Sequence, residues 1–280
     1  MESVKLIEQG PLHSVIRVMR SWGSSHFVQD VSLDAGADTV GIHNEIDWHE
    51  THVLLKASLP LAATSAKATF EIPYGTIDRP TTRNNSWEQA EFEVPGMRWA
   101  ELGDGQHGVS LLNRTKFGYD AVGNMLRLSL LRSATWPDPD ADRGYQSFDY
   151  ALYPHAGDWK QAASMQHGWE YNYPLRAMQV AAHSGSEAAT RSFVSVDAKN
   201  VIVTAIKKAE DRDALVIRMF EFEGKSGDVK VSVPAGASYA VESDLMETPE
   251  TAHLPIHDGA VTVRVHPYEI VTVQVMYPKR

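Results

Sequence analysis

The sequence predicts an all-β protein, and three observations carry that expectation. Apolar and polar residues alternate with period two in run after run, turn-forming residues separate the runs, and helical periodicity is nearly absent. The pattern is clearest in the last third. Val261, Val263 and Val265 alternate with Thr262 and Arg264, and after His266-Pro267 the run 270–275 repeats the alternation with Ile, Val, Thr and Gln. The runs 201–206, 215–220 and 229–233 read as strands in the same way. Asp211-Arg212-Asp213, Gly224-Lys225-Ser226-Gly227 and Pro234-Ala235-Gly236 supply turn residues between or after them. Short strands spaced about every ten residues predict a sandwich.

Extended candidates also fill the first two-thirds, at 13–20, 41–47, 53–59, 68–72, 108–112 and 125–131, but their linkers are longer. The stretches 78–90 and 133–146 carry Pro, Asn, Asp and Trp with little periodicity, which predicts long ordered loops of the kind that hold binding residues. Only 157–166 reads as a short helical turn. Small and polar residues replace aromatic ones near 185–189, so the expected division is a large β-domain at 1–190 and a smaller one at 191–280.

Size and composition narrow the function classes. With 280 residues, 43% apolar and 22% charged, the chain is long enough for one or two real cores. Twenty-six Lys and Arg against 36 Asp and Glu give a net charge of −10 with no basic cluster, so neither nucleic acid nor an anionic membrane is an expected partner. The chain has no cysteine, which excludes disulfides, thiolate nucleophiles and Cys-ligated zinc and fits a cytoplasmic protein. No apolar run approaches the roughly 18 residues of a helical membrane span, and strand-like alternation begins within a few residues of Met1, as though the chain starts in mid-protein.

Three motifs bear on chemistry. His49-Glu50-Thr51-His52 has the letters of a zinc-protease signature, but the histidines are three apart rather than four, and the strand-like context sends them to opposite faces. Asp47, Trp48 and His49 are better read as structural or sugar-facing. Asp138, Asp140 and Asp142 alternate as in a calcium loop, with Asp149 at the closing position. The sixth position is Arg143 rather than Gly and no helix flanks the run, so a solvated turn is expected. Trp87, Trp136 and Tyr153 lie among Arg, Asn and Asp, a combination that suits the flat apolar faces and hydroxyl edges of sugars, although such aromatics also pack cores. There is no phosphate loop, nucleophile elbow or dinucleotide fingerprint.

A series of ordered strings then resembles one family. Asp47-Trp48-His49-Glu50, Phe70-Glu71-Ile72-Pro73-Tyr74-Gly75, Asn85-Ser86-Trp87, Lys116-Phe117-Gly118-Tyr119-Asp120, Leu128-Ser129-Leu130-Leu131-Arg132-Ser133, Tyr150-Ala151-Leu152-Tyr153-Pro154-His155 and Pro267-Tyr268-Glu269-Ile270 are similar to segments in the C-terminal half of glycoside hydrolase family 38 α-mannosidases, most closely the bacterial and cytosolic branch. The resemblance implies a galactose-mutarotase-like supersandwich followed by a smaller β-sandwich. It implies a parent enzyme that hydrolyses terminal α-mannosyl residues with retention. An N-terminal catalytic barrel and helical bundle, which nothing in this sequence matches, would hold the nucleophile and a divalent metal, zinc in most members.

This chain would then pack on the barrel, have no catalytic or metal-ligating residue of its own, and be inactive alone. By position after the Leu-Ser-Leu-Leu strand, the resemblance makes Arg132 the substrate-binding candidate, with Asp142, Arg143 and Trp136 on the following loop beside it. A guanidinium presents a fixed fork of donors to vicinal hydroxyls. The competing expectation is that Arg132 pairs internally with Asp142 or another loop acid. Two other functional readings stand beside this one: a free-standing carbohydrate-binding sandwich using Trp87, Trp136 and Tyr153, and an aldose 1-epimerase suggested by fold alone. Homo-oligomerisation through a face left bare by the missing barrel is also expected.

Overall fold

The computed structural model of the protein describes residues 2–250 and 252–278. The chain separates into two compact units, Met1–Leu175 and Arg176–Arg280. Residues 173–194, which include the 190/191 boundary read from composition, contain neither helix nor strand.

The first unit contains β1 (Ser3–Gln9), β2 (His13–Trp22), β3 (Ser25–Asp34), β4 (Val40–Trp48), β5 (Leu55–Pro60), β6 (Lys67–Ile72), β7 (Gly75–Pro80), α1 (Ser86–Ala90), β8 (Val94–Pro95), β9 (Trp99–Gly103), β10 (His107–Asn113), β11 (Gly118–Val122), β12 (Met125–Leu131), β13 (Gly144–Ala156) and α2 (Ser164–Asn172). Nine strands form one antiparallel sheet in the order β1-β2-β3-β4-β13-β10-β9-β6-β7, and four form a second in the order β5-β12-β11-β8. This is the sandwich the alternation predicts. Ile42, Ile46, Phe148, Tyr150, Phe70, Ala100 and Leu111 come from the large sheet and pack against Ala57, Tyr119, Ala121, Leu126 and Leu128 from the small one. Each set lies at alternate positions because successive side chains on a strand point to opposite faces.

The reverse face of the large sheet is covered in part. Trp99, Leu112, Ala151 and Tyr153 are buried there, together with Trp159, Ala162 and Met165 from the segment leading into and through α2. A Cβ on Gly168 would meet Trp99 Cδ1 at 2.6 Å, so only glycine lets α2 lie this close to the sheet. The helical turn expected at 157–166 is displaced. Asp158 Oδ1 accepts the N–H groups of Lys160 and Gln161 in a tight turn, and Ala163 adopts φ 56°, which breaks the helical path before the real helix starts at Ser164. The expected loop 78–90 instead contains the end of β7 and all of α1. Asn85 caps α1 by accepting Glu88 N–H at 3.0 Å, and Glu88 reaches back to Asn84 N–H at 2.7 Å.

The second unit contains β14 (Ser195–Val196), β15 (Val201–Lys208), β16 (Ala214–Glu221), β17 (Gly227–Ser232), β18 (Tyr239–Ser243), β19 (Leu254–His257), β20 (Ala260–Val265) and β21 (Ile270–Met276). Its strands are hydrogen-bonded in the order β14-β17-β20-β19-β18-β21-β16-β15. Val229 and Val231, Val261, Val263 and Val265, and Val271, Val273 and Val275 all turn into one core with Ile217 and Met219. Among the described residues, no helix is long and apolar enough to cross a membrane.

Candidate functional site

The predicted site residues follow β12 in the first unit. At Arg132 the chain leaves the small sheet, and it re-enters the large one at Gly144. Asp142 ties the two ends of this loop together: its Oδ2 accepts the backbone N–H of Arg132 at 2.8 Å and of Ser133 at 2.9 Å. Asp142 itself takes φ 65°, a conformation that short polar side chains tolerate better than most, and its carbonyl accepts from Gln146 Nε2 at 3.1 Å.

Ser133 anchors the loop from below. It is fully buried at φ 57°, its Oγ accepts the indole N–H of Trp48 at 2.6 Å, and its carbonyl accepts His52 N–H at 2.8 Å. Trp48 is held in turn by stacking on Trp22 at 6.1 Å and by an edge contact with Phe27 at 6.0 Å. A sugar-facing role for Trp48 is therefore corrected: its ring is in the core and its N–H is spent on Ser133.

Arg132 and Asp142 do meet, but not as side-chain partners. The carboxylate takes the arginine's backbone, and the exposed guanidinium has no partner among the described residues. The expectation of internal pairing between the two charges is thus replaced by one in which Asp142 positions the peptide and leaves the fork of donors open. Arg143 instead bonds Asp140 at 3.0 Å, an exposed i,i+3 pair. Trp136 stands on the same loop with 84% of its surface exposed, next to a cis bond to Pro137. Close by, His52 Nε2 meets Thr135 Oγ1 at 2.8 Å. Arg132, Trp136, Asp142 and Arg143 therefore share one loop, with an open cation and an open indole on it.

Other sequence candidates disperse. Tyr153 is buried, and its hydroxyl donates to Ala162 O at 3.0 Å, whereas Trp87 is 85% exposed on α1. Thr81 O, just before α1, accepts the N–H of Gly123 in the β11–β12 turn, and Trp136 follows the opposite end of β12. Trp87, Trp136 and Tyr153 do not make one platform. His49 and His52 lie in the loop after β4 rather than in a strand, with His52 at φ 57° and His49 bonded to Asp47 at 2.9 Å. Asp149 is on β13, where it accepts from His43 Nδ1 at 2.7 Å, so the aspartate loop does not close on it.

That last contact belongs to a polar row that sequence reading did not find. Arg17, Asp30, His43 and Asp149 are directly opposite one another on β2, β3, β4 and β13, joined by the Arg17–Asp30 pair at 2.7 Å and the His43–Asp149 bond. Burial pulls the His43 pKa down, but the hydrogen bond to Asp149 and the charges of Asp149 and Glu45 outweigh it and leave it above the ordinary imidazole value. The only available signal was the period-two polar side of each strand, and register between distant strands is not written in it. Among the described residues no three His, Asp or Glu side chains converge as a metal site.

Residues 1–140 match the profile described as "Glycosyl hydrolases family 38 C-terminal domain", and residues 200–273 match "Glycosyl hydrolases family 38 C-terminal beta sandwich domain". The chain belongs to glycoside hydrolase family 38. Within the family, it is 37% identical to human Alpha-mannosidase 2C1 over 253 residues, covering 89% of this chain and 24% of that protein. Alpha-mannosidase G of Dictyostelium discoideum is 31% identical over 279 residues, covering 96% of this chain and 25% of the relative. The chain thus spans about a quarter of the length of the curated family 38 relatives it matches. The crystal structure of an α-mannosidase from Enterococcus faecalis V583 has the same fold, with a TM-score of 0.81 at 17% identity over 97% of this chain and 34% of that one.

Proposed function

We propose that the chain is the C-terminal β-region of a cytoplasmic α-mannosidase, and that it serves hydrolysis of terminal α-mannosyl residues by presenting Arg132 to the sugar. One observation supports this reading above the others: the Arg132 backbone is pinned by Asp142 while its guanidinium is left without a partner. A planar fork of N–H donors on a fixed backbone suits vicinal hydroxyls, and the neighbouring Trp136 offers an apolar face for the ring. Retaining hydrolysis needs a nucleophilic carboxylate and an acid/base about 5 Å apart across one glycosidic bond. In this reading both belong to the catalytic barrel of the longer polypeptide, as does the divalent metal. The donors in this chain do not fit such an ion: His43 meets Asp149 and Glu45 through different ring nitrogens, His49 meets Asp47, and among the described residues no three His, Asp or Glu side chains converge on one point.

The test is an assay of the purified chain with 4-nitrophenyl α-mannoside in the presence of zinc, cobalt or manganese, followed by a titration with mannobiose monitored at the Arg132 Nε–H and Trp136 Nε1–H resonances. We expect no turnover, and weak shifts at both resonances that vanish in Arg132→Ala. Metal-dependent turnover by the purified chain would contradict the division of labour. Unchanged resonances at millimolar mannobiose would remove Arg132 and Trp136 from the sugar site.

A further inference from the structure

Nine strands face four in the first unit, and the difference falls mostly on one side. Val4, Leu6, Ile16, Val18, Phe27 and Val31 are joined by register to Ile42 and Ile46, so they occupy the same face as the sandwich core. Yet Val4 is 54%, Leu6 56% and Ile16 43% exposed, and Trp22 beside them is 54% exposed. The sheet that should cover them stops at β5. Among the described residues β5 pairs with β12 on one side only, leaving its other edge with free N–H and C=O groups. Between that edge and β2–β4 lies an open groove of about 780 Å³, with Trp22, Phe27, Ile46 and Leu55 among its walls.

The groove also carries a sign. Of the charged side chains along it, Lys56 is engaged by Asp120 and Glu93, whereas Arg20 is exposed, lies near enough to Tyr150 to act on its hydroxyl, and has no ion pair among the described residues. Among the described residues no carboxylate lines the groove, in a chain whose net charge is −10. An apolar floor, a free strand edge and one unpaired cation together specify an occupant.

We infer that this groove takes an extended polypeptide segment that adds to the edge of β5, is apolar on alternate residues and places a carboxylate against Arg20, and that the segment is supplied by the part of the α-mannosidase polypeptide this chain does not span. Strand addition satisfies the β5 edge through main-chain hydrogen bonds, while side chains on one face of the new strand fill the floor. At about 4.8 Å per strand, the bare width over β1–β3 accommodates two or three added strands. The relatives supply polypeptide for this, since three-quarters of their length lies outside the match. The source of the segment rests on the proposed function, whereas the chemistry of the groove does not.

The test uses the 280-residue chain and a fluorescein-labelled peptide of ten residues, valine alternating with threonine and one central aspartate, read by anisotropy and by hydrogen exchange of the β5 amides. Expected are saturable binding, exchange at the outward β5 amides slowed about tenfold or more, and a loss of affinity of about tenfold in Arg20→Glu that is recovered with a lysine in place of the peptide aspartate. Absence of binding, or protection elsewhere than β5, overturns the inference. So does sedimentation equilibrium showing a dimer whose β5 amides are already protected and whose dissociation by Trp22→Glu exposes them, because a second copy would then be the occupant. The source is tested on full-length Alpha-mannosidase G, by hydrogen exchange of the strand that corresponds to β5. Amides on its outward edge that are protected in the full-length enzyme support the inference, and outward amides that exchange freely there overturn it. None of these outcomes moves the mannobiose titration at Arg132, so the two proposals fail separately.

Discussion

Asp142 accepts the backbone N–H of Ser133 at 2.9 Å, and through the adjacent bond to Arg132 N–H at 2.8 Å one carboxylate closes a loop between positions ten residues apart. The side chain that sequence pairing would oppose to Asp142 is thereby left available. Aspartate here combines two properties that few residues share, tolerance of φ 65° and an acceptor that reaches two successive amides.

Asp142→Ala should therefore loosen the loop more than Asp142→Asn does. Alanine removes both acceptors and is strained at positive φ, a loss of about 1–3 kcal/mol, whereas asparagine keeps one carbonyl oxygen and the conformational tolerance. Thermal denaturation should order the stabilities as wild type, Asn, then Ala. Faster amide exchange at Arg132 and Ser133 should accompany the drop. Equal stability of Asn and Ala would mean that the carboxylate is not what holds the loop.

Ser133→Ala tests the layer beneath. The indole N–H of the fully buried Trp48 donates to Ser133 Oγ at 2.6 Å, and removing that acceptor leaves a donor in the core at a cost of about 1–3 kcal/mol. The tryptophan emission maximum and Tm should both shift. A variant as stable as the wild type would show that the indole finds another acceptor.

Much of this fold was legible from alternation alone. The valine runs of β17, β20 and β21 could hardly be anything but strands, because their apolar positions fall on one side at every second residue. Less legible were β3, β9 and β13, whose polar faces carry Asp30, Glu101 and Asp149. Each of those acids looks like a loop residue until a neighbouring strand supplies Arg17, a buried pocket or His43. The loop after β12 was legible in position and not in geometry. The strand ending at Leu131 located Arg132, but only the three-dimensional path shows Asp142 taking its backbone rather than its guanidinium. Tyr153 and Trp136 are both aromatic residues beside polar ones in sequence, and only the cover of Ala162 and α2 makes one core and the other surface.

Glu101 predicts a pH dependence. It is 94% buried on the large sheet, and desolvation, followed by the charges of Asp158, Asp78 and Asp104, pushes its pKa up to about 7. The folded state therefore holds a proton that the unfolded chain releases near the ordinary carboxylate value. Its contribution is fully present below about 4.5 and is lost as pH rises through about 7. The Tm difference between Glu101→Gln and wild type should accordingly grow in favour of Gln from pH 5 to pH 7.5 and level off above. A difference that does not change across this window would show that Glu101 is ionised in the fold throughout.

His43 should respond in the same sense, at higher pH than the unfolded carboxylate range. Its folded pKa lies above the ordinary imidazole value despite burial, because of Asp149 and Glu45, so its contribution is present below about 6.5 and is lost as pH rises through the folded value. In an NMR titration of the His43 Cε1–H, Asp149→Asn should lower the midpoint. An unmoved midpoint would assign the elevation to Glu45 alone.

The second unit offers a test that turns on direction rather than strength. Glu221 Oε1 accepts from Asn200 Nδ2 at 2.8 Å and from Glu223 N–H at 2.8 Å, while Oε2 accepts from Gly224 N–H at 2.8 Å and Tyr268 N–H at 3.0 Å. Burial raises its pKa, but these donors outweigh it and hold the carboxyl below the ordinary range, so the carboxylate is the form the fold stores. Four donors meet two oxygens. Glutamine replaces one oxygen with a donor, and whichever way the amide is flipped its NH₂ faces two N–H groups. Glu221→Gln should therefore cost about 2–4 kcal/mol despite its near-identical shape, since hydrogen bonds to a charged acceptor are lost and buried donors are left opposed. The effect should fade as pH falls below the unfolded carboxylate value, where the wild type must also take up a proton. Urea unfolding at pH 7 and pH 3.5 reads both parts, and a Gln variant equal to wild type at pH 7 would show that the loops carrying Gly224 and Tyr268 do not depend on this carboxylate.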